Sequence, residues 1–248
     1  MMRYGMNRTE RTQDSYPKQL LELAKPPDNI YFIGNIDIIN QYKSIAVIGS
    51  RKVSEKGIFY AWLVGQELGK RGINVVNGLA HGCDTYAFKG ALSAGGKCTA
   101  VMPCGLEQIV PRSNTGLAVE LLSKGGCLIS EYPVMSPIQK YQYIQRDRLQ
   151  SGISGGVLVI EATYDSGTMH TVRYAIQQGK KLACIDSRLA DQASGNRWME
   201  GLKGVKVIRS IEDLDCFINE LSCSVTYRQM TLEGLIDEEN SERIYKNV

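Results

Sequence analysis

Short apolar runs recur along the chain, each separated from the next by enough residues for one helix. They are 45–49 (IAVIG), 73–77 (INVVN), 98–102 (CTAVM), 127–130 (CLIS), 157–161 (VLVIE), 181–185 (KLACI) and 205–208 (VKVI). The runs are continuous rather than alternating and rich in valine and isoleucine, the pattern of strands buried on both faces. Between them, helices are expected near 54–70, 84–94, 113–124, 143–153, 167–178 and 195–203. Ser54 is placed to cap the first, and Gly72 to sit in the turn that ends it. Strand, turn and helix in alternation predict an α/β fold built on a doubly wound, mostly parallel sheet with helices on both faces. Crossovers in such a sheet are right-handed, and ligands gather at the carboxyl ends of the strands.

Two flanking regions break the rhythm. Residues 1–15 read as a polar tail, and 16–44 as a lead-in with a short helix, a Pro-Pro break and an edge strand around Ile30–Ile33. A closing helix is expected over 211–222, so that 16–222 forms one domain with its lead-in. Residues 223–248 read as an acid-rich tail, too short for a further core.

Composition narrows the class. Of 248 residues, 43% are hydrophobic and 22% charged, as in an ordinary soluble globular protein. No apolar run approaches the roughly 18–20 residues that a bilayer span requires. The N-terminus has no apolar signal core. The seven cysteines are scattered without a C-x-x-C pair, and Cys98, Cys127 and Cys184 fall within apolar runs. That pattern suggests small buried hydrophobes in a reducing cytoplasm rather than a metal or disulfide framework. A net charge of +3 does not by itself imply a polyanionic partner, so the placement of the basic residues matters more.

Four stretches carry candidate chemistry. Gly49-Ser50-Arg51 follows the first apolar run. It is either a plain strand-to-helix turn or a phosphate site made of backbone N–H groups, a hydroxyl and a guanidinium. In NGLAHGCDTYAFKGAL, residues 77–92, Gly78 and Gly82 flank a tight loop. There His81 faces the ligand edge, and Asp84 is placed to cap the next helix. In EATYDSGTMHTVRYAI, residues 161–176, Ser166-Gly167-Thr168 offers hydroxyls and N–H groups at a helix start. A nucleophilic Ser166 with His170 as base is the enzymatic alternative, but no G-x-S-x-G elbow surrounds it. The stretch 136–152 interleaves Lys140, Arg146 and Arg148 with Tyr141 and Tyr143. It suits a single nucleic-acid strand, with cations for the backbone and rings for the bases. An amphipathic helix with packed tyrosines and solvated charges reads equally well.

Taken in order, the motifs resemble the DprA family, also called Smf, the DNA-processing proteins of bacterial natural transformation. The resemblance runs from about Tyr16 to about Ile208. It is carried by YPKQL, PPDNIYFIGN, IGSR, NGLAHGCD with KGAL, GGKCTAVMPCGLEQIVPRSN, LISEYP, RDRLQSGIS, VIEATYDSGT and GNRWMEG. It implies an extended Rossmann-like fold and a cytoplasmic homodimer, not an enzyme, that binds single-stranded DNA and helps load the RecA recombinase onto it. No cofactor, metal or catalytic residue is assigned. Arg51 matches the family's arginine on the DNA path, and Lys140 and Tyr143 match its basic and aromatic contacts. Arg146 and Arg148 fall in the family's R-N-R stretch. The chain departs from the family at His81, where many members have arginine, and at Phe88, where many have histidine. Ile144 replaces a usual proline and Asp147 a usual asparagine. A carboxylate between two arginines is expected to lower the local positive potential. Many members also carry an N-terminal helical domain and a C-terminal winged helix, for which the sequence has no room.

The rival reading is a nucleotide-handling enzyme similar to the lysine-decarboxylase-like phosphoribohydrolases. Those use P-G-G-x-G-T-x-x-E, with the glutamate as acid/base. Here the stretch is YDSGTMHT, with Thr171 at the glutamate position. A sensor that binds a small nucleotide at the same turns is the third reading.

Overall fold

Each apolar run of the sequence becomes a strand of one nine-stranded sheet in the computed structural model, which describes residues 5–221. In chain order come β1 (Asn7–Glu10), a 3-10 turn at Lys18–Glu22, β2 (Asn29–Gly34), α1 (Ile38–Gln41), β3 (Ser44–Ile48) and α2 (Glu55–Lys70). Then follow β4 (Asn74–Asn77), α3 (Cys83–Ser93), β5 (Cys98–Val101), α4 (Thr115–Ser123) and β6 (Cys127–Ser130). The series continues with α5 (Lys140–Gly152), β7 (Gly156–Val159), α6 (Thr168–Gln177), β8 (Lys181–Ile185), α7 (Ser194–Glu200) and β9 (Val205–Ile208). By contacts the chain divides into a first unit, Met1–Val207, and a second, Ile208–Val248. The closing helix, 211–221, belongs to the second unit. The acid-rich tail expected over 223–248 lies outside the described residues.

The strand order is β1-β2-β6-β5-β4-β3-β7-β8-β9. Pairing is parallel from β6 through β5, β4, β3 and β7 to β8, and antiparallel at β2–β6 and β1–β2. The chain winds outward from β3 to β6, then returns across the sheet to lay β7 against the other side of β3. The β3–β7 register pairs Ile45 with Gly156 and Ile48 with Val159. That reversal point is where open α/β sheets leave a crevice at their carboxyl edge.

Packing explains the helices. Every residue of β3, β4, β5 and β7 is buried, as the continuous apolar runs require. One core cluster joins Ala46, Ile48, Val157 and Val159 of the sheet to Leu149 of α5, Met169 and Val172 of α6, and Tyr16 and Leu20 of the lead-in. Elsewhere α2 and α3 cross at glycines. A Cβ on Gly65 would overlap the Ala87 carbonyl, and one on Gly90 the Trp62 carbonyl. Backbones approach that closely only because those side chains are absent. Cys98, Cys127 and Cys184 are buried, and burial pushes the Cys98 and Cys127 thiols well above their ordinary range.

Ser54 caps α2, its Oγ accepting from Gly57 N at 3.1 Å, and Gly72 takes φ +68° in the turn that follows. Three elements differ from expectation. β1 lies inside the stretch read as a polar tail: it is a polar edge strand with no apolar run to announce it, and its antiparallel pairing makes β2 an internal strand rather than the edge expected around Ile30–Ile33. α5 begins at Lys140 rather than near 143, because Gln139 and Gln142 form a reciprocal capping box ahead of it. α4 begins at Thr115, after a 3-10 turn at Arg112–Asn114. No helix among the described residues is long and apolar enough to cross a membrane.

Candidate nucleic-acid interface

Because β3 and β7 are neighbours, the turns that follow them meet. Ser50 N donates to the Glu161 carbonyl at 2.7 Å. The Glu161 carboxylate, fully buried, accepts from Ser54 N at 3.2 Å and from Ser54 Oγ at 2.5 Å. One acidic residue thus straps the first turn, and the start of α2, to the third. Sequence reasoning placed Glu161 only as the end of an apolar run, and a carboxylate closing such a run was the available signal. Gly49 allows this closeness, since a Cβ there would overlap Cys83 Sγ.

The second turn is tied to the first by Cys83 N, which donates to Ser50 O at 3.1 Å. Asp84 does not cap its own helix as expected. Its Oδ2 instead accepts from Gly78 N at 3.0 Å and Ala80 N at 3.2 Å, so it fixes the loop that precedes the helix. The position before α3 is Gly82 at φ +73°, where an L side chain is strained and would also overlap Ser50 O. Burial raises the Asp84 carboxyl to about 6, against the opposing pull of the Arg146 guanidinium and the two N–H donors. His81 is exposed on the loop. Phe88, at the other departure, is fully buried in α3.

The fourth stretch divides by face. Arg146 is buried, donating from Nη1 to the Val101 carbonyl at 2.7 Å and from Nε to Asp147 Oδ1 at 3.1 Å. Gly78 makes room for that guanidinium, which a Cβ would displace. Arg148 pairs with Glu131 at 2.5 Å. Both arginines of the RDR stretch therefore bond protein partners. Asp147 is buried beside Arg146. Desolvation raises its carboxyl above the usual range, opposed first by Arg146 and more weakly by His170 and Arg51. Tyr143, by contrast, faces the first turn. The Arg51 guanidinium lies over its ring, 5.4 Å from the centroid. Lys140 is exposed in the first turn of α5, and Tyr141 and Ile144 are exposed farther along it.

On the third turn, Ser166 Oγ donates to the Thr163 carbonyl at 2.6 Å, not to His170. Thr168 opens α6, whose N-terminal N–H groups carry the positive end of the helix dipole. Together these turns and α5 enclose a cavity of about 390 Å³, within the range of small-ligand pockets. Gly49, Ser50, Arg51, Tyr143, Arg146, Ser166, Gly167 and Thr168 line it, as do Asp84, Asp147, Gln150 and His170. Gly78, His81, Gly82, Lys140 and Arg148 do not. Among the described residues, no group of His, Cys, Asp and Glu is arranged to hold a metal.

The chain is similar to known proteins over most of its length. It is 37% identical over 185 residues to protein Smf of Escherichia coli K12, covering 74% of this chain and 49% of that one. The chain thus spans about half the length of that relative. The X-ray structure of DNA processing protein A from Streptococcus pneumoniae superposes with a TM-score of 0.75 at 29% identity, covering 85% of this chain and 74% of that one. DNA processing protein A of Helicobacter pylori, described for its single-stranded DNA binding mode, shares the fold. Its TM-score is 0.74 at 23% identity, with 90% of this chain and 97% of that one covered. The family model for DNA recombination-mediator protein A matches residues 7–219, the whole of the sheet and its carboxyl-edge turns, and the chain belongs to that family.

Proposed function

We propose that the protein binds single-stranded DNA across the carboxyl edge of the sheet and presents it, as a cytoplasmic homodimer, to the RecA recombinase. The observation that carries this reading is the Arg51 guanidinium over the Tyr143 ring at the mouth of the cavity. A cation and a ring side by side meet the two needs of a single strand, a partner for phosphate and a face for a base. With Ser166 Oγ and N both bonded to the Thr163 carbonyl, the Thr168 hydroxyl and the N–H groups of Gly167 and Thr168 at the start of α6 supply a second anion site, and Lys140 extends the positive path along α5. Family membership and the single-strand binding described for the Helicobacter pylori relative support the same reading.

The enzymatic readings are weaker. Thr171, at the position of the phosphoribohydrolase glutamate, offers no carboxylate for acid/base work. Ser166 is bonded to a carbonyl and not to a base. A mobility-shift series tests the assignment. Single-stranded oligonucleotides are expected to shift at lower protein concentration than duplexes of the same sequence. Nucleoside monophosphates are expected to remain intact after prolonged incubation. Equal shifts of both forms, or release of free base, would overturn it.

A further inference from the structure

Two acceptors stand together on the α5 wall of the cavity. Gln150 is only 3% exposed, yet its Oε1 has no hydrogen-bond partner. Its amide orientation is set, because Nε2 donates to Asp147 Oδ1 at 2.8 Å and leaves oxygen as the spare end. Asp147 receives Arg146 Nε on that same oxygen, so both bonds fall on one side of its carboxylate. The described residues contain other buried side-chain atoms without partners, on Gln19, Arg148 and Gln178, but none of those residues lines the cavity. A buried acceptor without a donor is costly, and a ligand that brings the donor relieves the cost.

We propose that Gln150 and Asp147 read a base of the bound strand, and that the base they select is guanine. This rests on the single-strand reading above. Guanine presents two adjacent donors on its Watson–Crick edge, N1–H and the 2-amino group. Adenine and cytosine set a ring acceptor beside their amine, and thymine flanks its one N–H with two carbonyls. A carboxylate facing those acceptors repels them, whereas guanine meets acceptors with donors; side-chain pairing with base edges follows the same matching in grooves. Arg51, whose guanidinium lies over Tyr143 of α5, and Gly167 and Thr168 at the start of α6 line the same cavity, and they are the partners for the phosphate of the same nucleotide.

Fluorescence anisotropy on the full chain tests this with a labelled oligothymidine and the same strand carrying one central guanine. The guanine strand is expected to bind about tenfold tighter, the discrimination of one well-made base contact. Inosine, which keeps N1–H and lacks the 2-amino group, is expected to fall between. Gln150→Met removes the spare acceptor at similar volume. Asp147→Asn keeps an oxygen for Arg146 and Gln150 but turns the other end into a donor. In each folded variant the guanine-to-thymine ratio is expected to fall toward one while oligothymidine binding persists. A parent ratio near one with intact binding overturns the base reading and leaves single-strand binding standing. So does a ratio unchanged in both variants. Failure to bind either strand overturns the single-strand reading itself, and this inference with it.

Discussion

Buried charge organises the site at the scale of single residues. Asp84 holds two loop N–H groups, Glu161 straps two turns, and Arg146 reaches the Val101 carbonyl. The placement of Arg51 beside the cavity was legible from a glycine turn after a strand, whereas that of Tyr143 came from the family resemblance, since composition alone read equally well as packed tyrosines. The roles of Arg146 and Arg148 were not legible. Their partners, Val101 and Glu131, come from distant segments, and spacing says nothing about which cation of a helix turns inward. Asp84 gives a pH-dependent consequence. Its carboxyl titrates near 6 when folded, above its ordinary value, so the folded state binds its proton more tightly than the unfolded chain. Its contribution to stability is therefore intact below about pH 4 and lost as pH rises through about 6. Asp84→Asn keeps one oxygen for the Gly78 and Ala80 N–H groups and removes the ionisation. Its stability relative to the parent is expected to rise between pH 4 and 7, by an amount on the order of 3 kcal/mol at most. Urea unfolding at both ends of that range checks it, and a difference that is flat with pH would contradict it.

Among the elements, the buried strands were the most legible part, since their short length, their valine and isoleucine content and the turn residues that flank them set them apart from buried helices. The starts of helices were less so. α5 gains its first turn from the Gln139–Gln142 capping box, a pattern weaker than a serine or aspartate cap. β1 was missed altogether, because a polar edge strand is specified by its partner β2 and not by its own residues. The crossing of α2 and α3 was invisible for a similar reason: Gly65 and Gly90 look like poor helix residues until the facing carbonyls are known. Gly65→Ala is expected to destabilise by about 1–3 kcal/mol through overpacking against Ala87. Gly116→Ala, in α4 with nothing near its Cβ, is expected to stabilise by about 0.4–1 kcal/mol through loss of unfolded-state freedom. Denaturant midpoints for the pair check both signs; two gains of similar size would mean that helix propensity and not the crossing sets the outcome.

For the whole molecule, the order of strands matters more than any one motif. Laying β7 beside β3 brings together turns more than a hundred residues apart in sequence, and only that juxtaposition makes a cavity of them. The doubly wound sheet predicted that turns would converge at the carboxyl edge, and those after β3 and β7 do. The homodimer proposed above rests on family resemblance rather than on the sheet, and it gives an expectation about assembly. Sedimentation at about tens of micromolar, where a modest interface still associates, is expected to show a dimer, and monomer alone would contradict it.

The most direct measurement is the affinity for a single strand as a function of salt, in the parent and in Arg51→Ala, Tyr143→Ala and Tyr143→Phe. If Arg51 holds a phosphate, Arg51→Ala lowers the salt slope by about 0.7, the value for one contact on a single strand. If the Tyr143 ring stacks a base, Tyr143→Ala loses about 1–3 kcal/mol at every salt concentration, and Tyr143→Phe loses almost nothing. Unchanged affinity and slope in Arg51→Ala, together with a folded Tyr143→Ala that binds at full strength, would contradict the account.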